Sequence, residues 1–345
     1  MYVRLKFHTG LLLLFLLVGA LGGIVAVFYR ATPTDPRAVP SAPAEAIHPP
    51  ATPTPVPKAR TRSAPQKSLA SPRAVASDDS VVIYNRAVRY LKGDGVAADY
   101  AEAARLFRQS AEKGYAPAQH NLGVLYSTSQ GVPQNLGEAK GWLRKAAEQG
   151  VAEAQFKLAV FYATGQGVPR DLAEAAKWAR LAAEQGHTEA AYNLAVLYVS
   201  GEGVEQNFIE AAKWFRQAAE KDHPIAQSNL GVFYANGKGV ARDYAEAAKW
   251  FRKAAERGSA TAQFNLGLSY AEGKAMPKDE IEAYKWFSLA AEQGDPDALE
   301  RRKELALQIS PQQIAEGIKR ATAFAARSTS ARFPERVSSH KRPPD

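Results

Sequence analysis

The 345-residue chain has no cysteine. That excludes disulfides, thiol nucleophiles and cysteine-ligated zinc or iron–sulfur centres. It leaves the compartment open, because an oxidising space permits disulfides without requiring them. Short catalytic motifs are missing too. None of the histidines His8, His48, His120, His187, His223 and His340 stands four residues from another, and neither H-E-x-x-H nor G-x-S-x-G occurs. The paired glycines follow no strand and lack the G-x-G-x-x-G spacing that cradles a phosphate. No segment sustains strand alternation. The formal net charge is +9, yet much of the basic excess lies in the flanks, at Arg4, Lys6 and Arg30, at Lys58, Arg60, Arg62, Lys67 and Arg73, and from Arg327 to Arg342. This pattern reads as solvated tails, so no nucleic-acid partner is expected.

Proline is unevenly spread: 11 of the 21 lie between Pro33 and Pro72. Residues 30–80 are rich in Pro, Ala, Ser and Thr and lack the apolar content for a core, so they read as a disordered, semi-rigid spacer. Before them, residues 9–29 hold no charge. Twenty-one apolar residues suffice to span a hydrocarbon core. A cleaved signal peptide competes, with Val18-Gly19-Ala20 as its cut site, but the apolar run continues past it. The expectation is a signal anchor, with residues 1–8 as a short cytoplasmic tail and the rest exported.

The remainder is written in a 36-residue period. Trp142, Trp178, Trp214, Trp250 and Trp286 are all the tryptophans of the chain, and Tyr90, Tyr126, Tyr162, Tyr198, Tyr234 and Tyr270 keep the same step. Six units fit 82–117, 118–153, 154–189, 190–225, 226–261 and 262–297. Repetition at this period signals a stacked array. Each unit reads as two helices. The second opens on Asp99, Asn135, Asp171, Asn207, Asp243 or Asp279, each followed three residues later by Glu, the spacing of a reciprocal capping box. It closes on Gly114, Gly150, Gly186, Gly258 or Gly294, with Asp222 in the one gap. Recurrence of one acid at one helix position marks a cap rather than a catalytic pair. The regular tryptophans read as inter-unit core. Residues 298–326 read as closing helices, with Ser310 as N-cap, Pro311 at N1 and Gln313 at N3. Residues 327–345 read as a disordered basic tail.

The pattern A-x-x-x-L-G-x-x-Y…G-x-G-V-x-x-D-x-x-E-A-x-K-W-x-x-x-A-A-x-x-G resembles the Sel-one-like repeat (SLR) family, relatives of the tetratricopeptide repeat, over 216 residues. The resemblance implies an all-α, right-handed α-solenoid of six helix-turn-helix units used for protein–protein contact. Some members of that family are described as hydrolysing β-lactams or binding cell-wall fragments; those resemble cysteine-rich forms, and this chain has no cysteine. Unit one departs from the pattern, with Arg86-Ala87 for Leu-Gly and Leu106 for tryptophan, as does unit six, with Lys274-Ala275-Met276 for Gly-x-Gly-Val.

Relative to the tetratricopeptide pattern, groove positions are expected just before Leu-Gly and around the tyrosine. One row is His120, Phe156, Tyr192, Ser228 and Phe264; a second is Thr128, Thr164, Ser200, Asn236 and Glu272. A third is Asn121, Lys157, Asn193, Asn229 and Asn265, where asparagine can clamp a peptide backbone or bond to the preceding turn of its own solenoid. The resulting expectation is a non-catalytic scaffold without cofactor or metal, anchored in a bacterial inner membrane and binding a protein or peptide in the periplasm. Peptidoglycan contact is the alternative.

Overall fold

The computed structural model describes residues 78–332. Six helical hairpins follow one another: α1 (Asp78–Lys92) with α2 (Tyr100–Glu112), α3 (Ala116–Thr128) with α4 (Leu136–Glu148), α5 (Ala152–Thr164) with α6 (Leu172–Glu184), α7 (Thr188–Ser200) with α8 (Phe208–Glu220), α9 (Pro224–Asn236) with α10 (Tyr244–Glu256), and α11 (Ala260–Glu272) with α12 (Glu280–Glu292). Two further helices, α13 (Pro296–Ala306) and α14 (Pro311–Arg332), close the stack. Among the described residues there is no strand. Each hairpin packs its two helices together, and its second helix packs on the first helix of the next unit, as in a solenoid. The N-terminal apolar run, the spacer and residues 333–345 lie outside the described residues. Among those described, no helix is long and apolar enough to cross a membrane.

The expected caps are present, with one correction. Asp99, Asp171, Asn207, Asp243 and Asp279 each accept from the amides two and three residues on, and Asn135 accepts from Glu138 N–H. Such a cap stabilises a helix by about 1 kcal/mol over alanine. The reciprocal half of the box is not formed. The N–H of every cap residue donates instead to the repeat tyrosine of the preceding helix, as Asp171 N–H does to Tyr162 C=O at 2.8 Å. The glutamate turns outward, to Arg105, Lys177, Lys213, Lys249 or Lys285 three residues on, and in unit two Glu138 accepts from the Trp142 indole. A full box does form at α14: Gln313 N–H donates to Ser310 Oγ, and Ser310 N–H donates to Gln313 Oε1.

The second helices end on left-handed residues with φ from 64° at Asp222 to 91° at Gly258, so Asp222 does take the glycine conformation. The core is built from the same positions in units two to six. Leu122, Leu158, Leu194, Leu230 and Leu266 are fully buried. Small residues beside them bring the two helices of a hairpin together: a Cβ on Gly231 would stand 2.5 Å from the Phe251 ring. Trp214, Trp250 and Trp286 are buried, and Trp142 and Trp178 are half-buried. Trp178, Tyr234 and Tyr270 each pack against two neighbouring hydrophobic clusters, which joins the unit cores into one seam.

The C-terminal end was only partly legible. α13 keeps the repeat phase, since Pro296 stands 72 residues after Pro224. α14 instead packs on α12. Phe324 meets Trp286 edge-on at 5.1 Å, Arg320 bonds Glu282 at 2.9 Å, and Tyr284 lies against Gly317 where other units place a smaller residue or lysine. Burial pushes the Glu282 carboxyl up, but its bonds to Lys285 and Arg320 win and hold it below the usual carboxylate range. The helix runs to Arg332, six residues past the expected end of the closing helices.

Candidate functional site

The three expected rows fall into different environments on the first helices. His120 and Phe156 are half-buried, whereas Tyr192, Ser228 and Phe264 are buried. Phe156 lies 4.4 Å from the His187 ring, Tyr192 stacks on His223 at 4.6 Å, and Phe264 meets Phe287 at 5.9 Å. Burial pushes the Tyr192 phenol up to about 12, aided by Glu189. It pushes His120 below its ordinary value, and His120 Nδ1 is buried without a partner among the described residues. The ring contacts of this row lie within single units, so the row is mainly packed core.

The asparagine row is mixed. Asn121 donates to the Tyr84 hydroxyl at 3.3 Å, and Asn265 donates to Thr261 C=O at 2.9 Å, one turn back on its own helix. Asn229 and Asn265 are buried, while Asn193 and Lys157 are half-buried. The Asn121 bond reaches the preceding unit, whereas that of Asn265 stays within its own helix.

The third row lies at the surface. Thr128, Thr164, Ser200, Asn236 and Glu272 are the last residues of α3, α5, α7, α9 and α11; all are exposed except Thr164, which is half-buried. Thr128 and Thr164 hydroxyls donate to Val124 and Val160 carbonyls one turn back. Ser200 donates to Leu197 C=O and accepts from Glu202 N–H, and Glu272 pairs with Lys274 at 2.6 Å. One register on the scaffold therefore presents a hydroxyl in units two to four, an amide in unit five and a carboxylate in unit six.

Three sets of inter-unit contacts escaped the sequence reading. Buried Gln119, Gln155, Gln227 and Gln263 each donate to the backbone of the preceding second helix, and three of them accept from Gln149, Gln185 and Gln293 at 2.7–2.8 Å. Arg108, Arg180, Arg216 and Arg252 each donate to the hydroxyl of the repeat tyrosine that follows. His187 and His223 cap α7 and α9 through Nδ1 and meet Glu153 and Glu189 through Nε2. Because Nδ1 of His223 accepts the Ala226 N–H, Nε2 carries the proton and donates to Glu189, which holds that carboxyl below its usual range. The 36-residue recurrence of the glutamines and arginines was the available signal. Among the described residues no group of three or more His, Asp and Glu could hold a metal ion.

The Sel1 repeat model matches residues 80–115, 116–151, 152–187, 188–223, 224–259 and 260–295, two residues ahead of the expected unit boundaries. No curated protein matches the chain. Among solved structures it is similar to a protective antigen of uropathogenic Escherichia coli displaying an SLR fold, at 33% identity and a TM-score of 0.65, covering 74% of this chain and 56% of that one. It is also similar to a Sel1 repeat protein from Oxalobacter formigenes, at 32% identity and a TM-score of 0.60, covering 70% of this chain and 99% of that one. The present chain thus spans just over half of the first relative and nearly all of the second. With six matched units stacked in one array, the chain belongs to the Sel1 repeat family.

Proposed function

We propose that the solenoid is a non-catalytic protein–protein interaction scaffold, tethered by residues 9–29 to a bacterial inner membrane with the repeats in the periplasm. The observation that carries the binding role is the surface row Thr128, Thr164, Ser200, Asn236 and Glu272, in which a repeated scaffold holds one position constant while its chemistry changes along the array from hydroxyl to amide to carboxylate. A rigid array with a variable edge recognises an extended partner by its sequence of contacts rather than by one pocket. The tether rests on the length and lack of charge of residues 9–29.

Photo-crosslinking in cells tests the reading. A photoreactive residue at Thr164, Ser200 or Asn236 is expected to give one discrete protein adduct, and the same residue at Lys177 or Lys249 on the second helices none. Adducts from both sets alike, or from neither, contradict it. Co-sedimentation of the chain with purified murein sacculi would favour the peptidoglycan role instead.

A further inference from the structure

One position of the second helices keys each unit to its surroundings. It holds Phe107, Leu143, Ala179, Phe215, Phe251 and Phe287, all buried and each 36 residues from the next. A ring here reaches back to its own first helix: Tyr84 meets Phe107 at 5.6 Å, Tyr192 meets Phe215 at 5.9 Å, and Phe264 meets Phe287 at 5.9 Å. It also reaches forward, since Phe215 meets Phe233 of the next unit edge-on at 5.3 Å. In unit three the position holds Ala179, a methyl group that can make neither reach. The residue at the register where Gly123, Gly231 and Gly267 lie against Leu143, Phe251 and Phe287 is there Ala159. An alanine in place of leucine or phenylalanine forfeits buried area and dispersion contacts.

The other side of α6 lacks an anchor as well. Gln119, Gln155, Gln227 and Gln263 tie their first helices to a carbonyl of the preceding second helix. At this register α7 holds Ala191, which has no group to bond with. The matching acceptor, Ala183 C=O, is reached instead by Gln217 from α8. The buried clusters divide at the same place. Leu158 and Phe161 of α5 belong with units one and two, whereas Ala176 and Ala179 of α6 belong with α7 and α8. Half-buried Trp178 packs against both.

The remaining ties around α6 are polar and long-armed. Gln185 donates to Gln155 at 2.7 Å, Arg180 to the Tyr198 hydroxyl, and Lys221 to Gly186 C=O at 2.6 Å; His187 meets Glu153 at 3.1 Å. Such side chains follow a small rotation by changing rotamer, whereas interlocked rings resist it. Elements that move are those with few buried apolar contacts. We propose that α6 is a hinge, about which units one and two with α5 turn as one rigid stack against units four to six as another. Turning changes the separation of Thr164 from Ser200, and with it the curvature of the surface row. The hinge does not depend on the identity of any partner.

The chain has no cysteine, so paired spin labels can be placed on the full chain in detergent without removing native thiols. Glu148, Glu220 and Glu292 are exposed, end α4, α8 and α12, and stand 72 residues apart. Labels at Glu148→Cys and Glu220→Cys bracket α6. Labels at Glu220→Cys and Glu292→Cys span two units in the same register without it. Double electron–electron resonance is expected to give a distance distribution at least twofold wider for the first pair than for the second. Ala159→Gly with Ala179→Leu copies the Gly123 and Leu143 pair of unit two into unit three, and should at least halve the excess width. A smaller ratio of widths, or an excess that the double substitution leaves unchanged in a folded chain, overturns the proposal. Hydrogen exchange on the unaltered chain decides the matter where that variant does not fold. Amides of α6 are expected to exchange at least tenfold faster than those of α10, and a smaller difference overturns the hinge.

Discussion

Leu194→Ala probes the seam at its middle. Leu194 is fully buried in α7, in a cluster with Ala211, Phe215 and Leu230 that spans three units. The substitution removes three carbons, about 2.4 kcal/mol of transfer free energy at about 0.8 kcal/mol per methylene. A residual hole of about 50 Å³ adds roughly 1 kcal/mol at about 24 cal/mol per Å³. The expected loss is therefore about 3.5 kcal/mol, read from urea unfolding followed by circular dichroism at 222 nm. Leu181→Ala is the control: Leu181 is 43% exposed on α6, and its loss should stay within about 0.5 kcal/mol. A loss under about 1 kcal/mol at Leu194, or equal losses at both sites, would refute the claim that the units share one close-packed core.

Other outcomes follow from single residues. Ala275 holds φ at 71° where units one to five place glycine, so Ala275→Gly should raise the unfolding free energy by up to about 1 kcal/mol in the same assay. Burial depresses the His120 pKa. A base whose pKa falls on folding binds fewer protons folded than unfolded, so His120 contributes stability above its unfolded value near 6.5 and loses it as pH falls below that. His120→Phe should therefore narrow the difference between urea midpoints at pH 7.5 and pH 5.5; an unchanged difference would contradict a buried neutral imidazole. Phe324→Ala removes the edge contact on Trp286, and tryptophan emission should shift to the red while helicity persists; no shift would mean that α14 does not cover the indole.

The repeat period was legible because the stacked units put the same demands on the same positions. Leucine, tryptophan and tyrosine recur where each unit meets its neighbour, and the left-handed stop recurs as glycine or Asp222. What the period could not show is which recurring polar group takes which partner. Asp171 and Glu174 have capping-box spacing, yet the Asp171 N–H goes to Tyr162, a bond that depends on how α5 meets the following loop. The groove rows were legible in phase but not in depth. Tyr192 and Thr164 are both variable positions on first helices, and only the packing of His223 over Tyr192 separates the buried row from the surface row. The path of α14 was hidden for the same reason. Its capping signals at Ser310 and Gln313 are local, while its docking on α12 depends on Tyr284, Trp286 and Glu282, far away in sequence.

Excision of one whole unit tests the account most directly. Deleting residues 188–223 joins His187 to Pro224, and His187 occupies the capping position that His223 otherwise fills. If each unit folds only against its neighbours, the shortened chain keeps its mean residue ellipticity at 222 nm and melts cooperatively at a lower temperature, whereas deleting 188–217, which breaks the phase, does not fold. Loss of helicity on removal of the full unit, or equal tolerance of both deletions, would contradict the account.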